Sequence, residues 1–487
     1  MLKSRSQIGE VKVMAQSPVV PQWKLRAEFA IRLARLYGDE VPAYNTLVEV
    51  SREVNEDYVR EHGADAERLG SIDRVTAERH GAIRVGSARE LAQVARVFGG
   101  FGMHPVGFYD LREAAKSAVP VVSTAFRPTD PDELAKNPFR VFTSMLAHDD
   151  RRFFDAGLQA RLEAFMDARE LFPSELLTLA DRSIADGGLS EADATRFLDL
   201  ATASFELSSE PIDHEWYTLL EQISSVASDI GGVPSTHINH LTPRVLDIDD
   251  LYQRMTDRGI TMIDEIQGPP GWEGPDVLLR QTSFRALDER RQFRYADGTV
   301  GEGTLRVRFG EVEQRGIALT RTGRALYDRM VDEVARRRRE EQPDRTRVAI
   351  AQDVWRESLP DTELGLAIAG LGFFTYRRGD ADLPTGDELS LRQLLEIGAV
   401  IADPIVYEDF LPASAAGIFQ SNLRGEGTRD DEQHGTPWDM ARLSEVVGFP
   451  IADPTALYER QQQASLDALS ADLGVRIVAD VETSPVA

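Results

Sequence analysis

The chain has 487 residues, and its 81 acidic against 55 basic side chains give a formal net charge of −26. That balance disfavours nucleic acid and anionic membranes as partners, because a phosphate backbone needs a basic footprint. The chain has no cysteine, which excludes disulfides, thiolate catalysis, Cys-ligated zinc and Cys-held iron–sulfur clusters. A hydrophobic fraction of 42% with 28% charged residues is ordinary for a globular protein. The N-terminus, Met1-Leu2-Lys3-Ser4-Arg5-Ser6, carries no apolar signal region. No run reaches the roughly 20 apolar residues of a membrane span. A cytoplasmic protein is expected.

In chain order, residues 1–71 read as a helical N-terminal cap. Gln22–Gly38 carries Trp23, Leu25, Phe29, Ile31, Leu33 and Leu36 at helical spacing, and Val41–His62 reads as a second helix. His62 suits the C-terminal end of that helix as a solvated residue. Residues 72–146 give strand His80–Val85, helix Ser87–Phe98, a turn into a strand at His104–Tyr109, and strands Val119–Phe126 and Phe139–Leu146. The order is strand, helix, then three strands. Residues 147–235 read as amphipathic helices over Asp149–Leu171, Ser174–Asp186 and Ser190–Leu207, punctuated by Pro173 and Gly187-Gly188. They form a helical insertion, in which neither His148 nor His214 is expected to bind metal.

Residues 236–320 return to strands, with Val277–Arg285 and a hairpin at Ala296-Asp297-Gly298 that leads into Leu305–Glu313. Residues 321–487 read as a C-terminal extension. It opens with helix Gly323–Glu340, whose Arg336–Arg339 run is a solvated face, and Ser390–Ile397 is a short helix. Val400–Leu423 is apolar and rich in small residues, and the successive amides of Ala413–Gly417 can offer N–H groups to an anion.

The two strand-rich regions echo one another. His80-Gly81-Ala82-Ile83-Arg84-Val85 matches His240-Leu241-Thr242-Pro243-Arg244-Val245. Ser123-Thr124-Ala125-Phe126-Arg127 answers Gln281-Thr282-Ser283-Phe284-Arg285. From the histidine to the Phe of this second block is 46 residues in one copy and 44 in the other. Phe139-Arg140-Val141 answers Leu305-Arg306-Val307, and extending that register places Glu311 where the first copy has Met145. A lone buried histidine is more often a satisfied core residue than a ligand, but the repeat pairs His80 with His240. It thereby favours His240 over His237, which reads as a neighbour or entrance residue. A carboxylate present in one copy completes a set of two imidazoles and one carboxylate, the ligand type of non-haem Fe(II) oxygenases. Glu311 and Glu313 alternate onto one face of a strand, so periodicity does not choose between them. Arg84 and Arg244 read either as plain surface charges or as carboxylate clamps, since the planar fork of arginine pairs bidentately with carboxylates, and Arg84 lies on the face of His80.

These features resemble the vicinal oxygen chelate superfamily. The resemblance implies an α+β fold in which two βαβββ modules form one metal site. Phe309-Gly310-Glu311-Val312-Glu313-Gln314-Arg315 is similar to the segment that carries the metal glutamate in 4-hydroxyphenylpyruvate dioxygenases, which favours Glu311. A closer resemblance, over most of the chain, is to the 2-oxoadipate dioxygenase/decarboxylase (hydroxyglutarate synthase) family. Arg79–Arg84, Thr236–Arg244, Phe309–Thr320 and Tyr407–Asn422 carry it. It implies Fe(II) held by His80, His240 and Glu311, with Arg84 and a late-loop contact at Ala413 or Ser414 binding substrate. The implied reaction consumes 2-oxoadipate and O2 and releases 2-hydroxyglutarate and CO2, as in lysine breakdown. No side chain beyond the metal site is implied in the chemistry. A Ni- or Zn-dependent isomerase or lyase of the superfamily, or a non-catalytic small-acid binding protein, are the alternatives.

Overall fold

The computed structural model describes residues 19–113, 119–306, 308–340, 344–412, 414, 418, 422, 429–430 and 432–478. The chain opens with β1 (Val19–Pro21), α1 (Gln22–Glu40), α2 (Pro42–His62) and α3 (Ile72–Ala77). On α1 the apolar residues recur at about one helical turn, so Leu25, Phe29, Leu33 and Tyr37 are all buried on one side. Phe29 stacks on Phe101 with ring centroids 4.4 Å apart.

Next come β2 (Arg79–Val85), α4 (Ala88–Gly100), β3 (His104–Asp110), β4 (Val121–Arg127), α5 (Pro131–Lys136) and β5 (Arg140–Leu146). The expected strand, helix and three strands are present, with a short extra helix before the last strand. Ser87 and Glu90 close a capping box that fixes where α4 starts. The following segment is helical, as expected: α6 (Ala156–Ala168), α7 (Ser174–Asp186), β6 (Gly188–Ser190), α8 (Glu191–Ala203), β7 (Ile212–Asp213), α9 (His214–Glu221) and α10 (Ser225–Gly231). Its first helix is shorter than the sequence suggests, because residues 149–155 form turns and Asp155 caps α6.

The second copy supplies β8 (Ile238–Pro243), α11 (Ile248–Asp257), β9 (Leu279–Ser283), β10 (Glu289–Arg294), β11 (Val300–Leu305) and β12 (Glu311–Arg315). The largest sheet runs β3-β4-β5-β2-β8. β2 pairs parallel to β5 and antiparallel to β8, so the two copies meet edge to edge at their histidine strands. β12 pairs with β9 and joins β8 through the parallel bridge Arg244–Glu313, where Val245 N–H donates to the Glu313 carbonyl at 2.8 Å.

This pairing corrects the register read from sequence. In the first copy Arg84 lies opposite Ser144, and in the second Arg244 lies opposite Glu313. Glu313 is therefore the counterpart of Ser144, and Glu311, two residues earlier, is the counterpart of Phe142 and not of Met145. The β9–β12 pairing agrees, because Gln281 faces Glu313 as Ser123 faces Ser144. The physical reason is the hairpin β10–β11. It sits in a separate sheet with β7 and ends at Leu305, so the segment expected as one strand over Leu305–Glu313 is split. The structural match to Phe139-Arg140 is Arg308-Phe309.

Alternation along the strands splits the core in two. Ile83, Val85, Val122, Phe126, Val141 and Ile238 pack toward the helices on one face. The other face carries Ala82, Ala125 and Phe142, together with His80 and Arg84. The C-terminal part, from α12 (Arg321–Glu340) and α13 (Arg347–Ser358) through Phe374–Arg378 and Val400–Pro404, returns to the end of β12. There the Tyr407 N–H donates to the Gly316 carbonyl at 2.9 Å. The segment after Tyr407 then runs across the histidine face.

Candidate metal centre

His80 and His240 come from adjacent antiparallel strands. His240 faces Ala82, two residues from His80 on the same face of β2. The imidazoles sit edge to face with centroids 5.4 Å apart. Glu311, the first residue of β12, reaches between them. One of its oxygens is 3.6 Å from His80 Nε2 and the other 3.5 Å from His240 Nε2. One ligand atom from each of the three lies within 4.8 Å of the others, the one such cluster among the described residues. Gly310 permits this approach of β12, since a Cβ there would come 1.9 Å from Phe284 Cε1.

The three groups are buried, and burial governs their protonation. It holds the His240 imidazole well below its usual range, with the His80 and Arg84 charges acting the same way. It lowers His80 too. Burial, and then the nearby Glu313 charge, push the Glu311 carboxyl well above its ordinary value. Without a cation the cluster favours neutral imidazoles and a protonated carboxyl. A divalent ion reverses that preference at the carboxyl, since its own charge dominates the site. The residues fit a metal on a further observation. Neither ring nitrogen of buried His240 has a hydrogen-bond partner, an arrangement that costs about 1–3 kcal/mol per unsatisfied group and that coordination at Nε2 relieves. Two neutral imidazoles and one carboxylate suit Fe(II) and leave other positions open.

Glu313 was left open as a ligand by the sequence, and the structure gives it another contact. Its Oε2 lies 2.9 Å from His80 Nδ1, off the ideal hydrogen-bond direction. Arg315 Nε and Nη2 grip Glu313 at 2.7 and 2.8 Å. Burial opposes ionisation of Glu313, but the Arg315 guanidinium, aided by the contact with His80, outweighs it and brings the carboxyl down to about 2. A carboxylate on the far nitrogen of a metal-facing histidine fixes its tautomer and ring orientation. Gln281 Nε2 donates to Glu311. Phe142, Gln281, Phe410 and Ile418 complete a small cavity with the three ligand candidates, leaving about 20 Å³ to the centre of a water molecule. That is room for about one ion or water. Larger hollows of about 440 and 570 Å³ elsewhere gather no such cluster among the described residues.

Arg84 is buried on the His80 face, with its guanidinium on Asp229 of α10. Arg244 points away to Glu78 Oε2 and the Leu69 carbonyl, both at 2.8 Å, and Arg285 pairs with Asp264. His237 is buried 3.4 Å from Asp229 and outside the cluster. His148 is 3.7 Å from Glu163, and His214 packs on Tyr295. Ser414 is buried; Ala413 lies outside the described residues. Sequence reasoning missed Phe410, whose ring meets His80 at 5.0 Å. It also missed the arginine–carboxylate network beneath, in which Arg140 joins Glu78 and Glu408 and Arg127 pairs with Asp409. The alternation Glu311-Val312-Glu313-Gln314-Arg315 was the available signal for Arg315.

Fold and site together define a vicinal-oxygen-chelate-like protein with a candidate His–His–Glu metal centre. The model for the 2-oxoadipate dioxygenase/decarboxylase family matches residues 29–422. A Mycobacterium tuberculosis 2-oxoadipate dioxygenase/decarboxylase is 53% identical over 450 residues, covering 92% of this chain and 99% of the relative. Its Pseudomonas putida counterpart is 38% identical over 462 residues, 93% and 97% of the two chains. The solved hydroxyglutarate synthase from Pseudomonas putida in complex with 2-oxoadipate superposes with a TM-score of 0.78 at 36% identity, covering 94% and 99%. The chain belongs to the 2-oxoadipate dioxygenase/decarboxylase family and is an enzyme of that type.

Proposed function

We propose that the protein is an Fe(II)-dependent enzyme that converts 2-oxoadipate and O2 to 2-hydroxyglutarate and CO2 in lysine catabolism. The observation that carries the reading is the buried meeting of His80, His240 and Glu311 with the unpartnered nitrogens of His240. These three residues would hold the ion. Bound there, Fe(II) would supply a chelation site for the 2-oxo acid and the redox chemistry with dioxygen. The atoms balance without a cosubstrate, because one molecule is both decarboxylated and hydroxylated.

The chain's own part is positioning. Glu313 orients His80, and Gln281 holds Glu311. Phe142, Phe410 and Ile418 supply the apolar walls of the cavity. Arg84 receives the far carboxylate of the six-carbon diacid, and Ala413 or Ser414 contacts substrate from the late loop. The site is assembled from modules 72–146 and 236–320, which residues 1–71, 147–235 and 321–487 cap, interrupt and extend. A cytoplasmic location, with no nucleic acid or membrane partner, accords with the net charge of −26; no helix of the described residues is long and apolar enough to cross a membrane. Oxygen uptake with a panel of 2-oxo acids, with and without Fe(II), tests the reading. Iron-dependent uptake greatest with 2-oxoadipate supports it, and isomerisation or elimination without oxygen use overturns it.

A further inference from the structure

Asp229 belongs to the helical insertion, from which no metal ligand is expected on sequence. The structure brings it to the ligand-bearing face. All seven residues of α10 are buried, and Ser224 caps its start. From there Asp229 Oδ2 accepts from Arg84 Nη1 and, at 3.0 Å, from Asn239 Nδ2. Its other oxygen lies 3.4 Å from His237 Nε2. Arg84 is also tied through its backbone, since Thr236 Oγ1 donates to the Arg84 carbonyl at 2.8 Å. Three side chains thus converge on one carboxylate that is itself 3% exposed. Arg84 shares the His80 face of its strand, and Asn239 directly precedes His240 on the paired strand, so the pair borders the candidate metal centre.

A buried ion pair is weak evidence of stabilisation, because desolvation offsets the attraction. What such a pair does supply is a fixed geometry for a side chain with many rotamers. An arginine held on one edge keeps its planar fork in one orientation, and bidentate recognition of a carboxylate depends on that orientation. We propose that Asp229 is a positioning residue that sets the fork of Arg84 for the distal carboxylate of the substrate, and so helps set the preference for dicarboxylic over monocarboxylic 2-oxo acids. This rests on the reading of Arg84 as the clamp.

The test is anaerobic titration of the full-length Fe(II)-loaded protein with 2-oxoadipate and with 2-oxohexanoate, which ends in a methyl group, with iron measured on the same samples. Asp229→Glu keeps the charge but lengthens the arm by one carbon. Asp229→Asn keeps one acceptor oxygen at the original length. For Asp229→Glu we expect unchanged iron and unchanged 2-oxohexanoate affinity. Its 2-oxoadipate affinity should fall by about tenfold or more, within the range of up to about a hundredfold that a misplacement near 1 Å can cost. Asp229→Asn should keep more of the preference than Asp229→Glu. The reverse order would show that charge and not position matters, and an equal loss for both ligands would show a merely structural role; either overturns the proposal. If both variants lose iron, Asn239→Ser loosens Asp229 from its other side. It should still lower the preference by a few-fold, and an unchanged preference then overturns the proposal. Arg84→Ala separates the two ideas. If it retains the preference, the clamp reading has failed. If it loses the preference while Asp229→Glu keeps it, only the role of Asp229 has failed.

Discussion

At His240 both ring nitrogens lack a hydrogen-bond partner, whereas His80 has Glu313 beside Nδ1. The two histidines are thus equivalent by strand position and unequal in support. His240→Ala and Glu311→Ala should abolish stoichiometric iron binding, while His237→Ala retains it. Glu313→Ala should fall between, weakening metal affinity by about 10–100-fold, the usual effect of losing a residue that orients a ligand. Iron content after desalting reads this directly, and a stronger loss in His237→Ala than in His240→Ala would contradict the ligand assignment. Arg84 makes a separate prediction. Arg84→Lys keeps the charge but not the fork, so kcat/KM for 2-oxoadipate should drop while iron stays bound. Arg84→Ala should drop further and narrow the preference over a methyl-ended 2-oxo acid. Steady-state kinetics with both substrates checks this; retained discrimination would move the clamp elsewhere.

Among the elements, the repeat His-x-x-x-Arg-Val was legible because its histidines lie on β2 and β8, which the fold pairs directly. The second block was legible for the same reason, since Gln281 and Ser123 occupy matching strand positions. The third block misled. Leu305-Arg306 closes a hairpin that the first copy lacks, and local likeness carries no information about which sheet a strand joins. The buried network was illegible for a related reason: Glu78, Arg140, Arg244, Arg315 and Glu408 come from five separate places in the chain. Burial alone would raise the Glu78 carboxyl, but Arg244, Arg140, Arg74 and Arg315 together hold it well below its ordinary 4.5. A depressed carboxylate contributes stability above its unfolded value that is lost as pH falls below it. Glu78→Gln should therefore destabilise by about 3–5 kcal/mol at neutral pH, as expected for breaking a buried pair. It should also flatten the loss of stability below pH 4.5. Denaturant unfolding across pH measures both, and an unchanged acid slope would contradict the assigned role of Glu78.

Across the whole molecule, the C-terminal part borders the candidate centre through Phe410 and Ile418. Tyr407–Leu411 crosses the histidine face, and Arg315 donates to the Tyr407 and Asp409 carbonyls at 2.8 and 3.0 Å. Helix Pro454–Leu473 braces that segment, because its Tyr458 hydroxyl accepts from the Glu408 N–H at 2.8 Å and donates to Asp409. Tyr458→Phe leaves these groups unsatisfied and should cost about 1–3 kcal/mol in unfolding experiments, with iron content unchanged. Loss of iron would show that the brace also shapes the centre. The central claim is that these distant segments build one Fe(II) site at which a single molecule is decarboxylated and hydroxylated. The stoichiometry of turnover tests it most directly, with O2 consumed, CO2 released and 2-hydroxyglutarate formed measured in the same reaction. We predict equal amounts of all three from 2-oxoadipate with Fe(II), and none with Zn(II) in its place. Product formation with Zn(II), or CO2 released without matching O2 uptake, would contradict it.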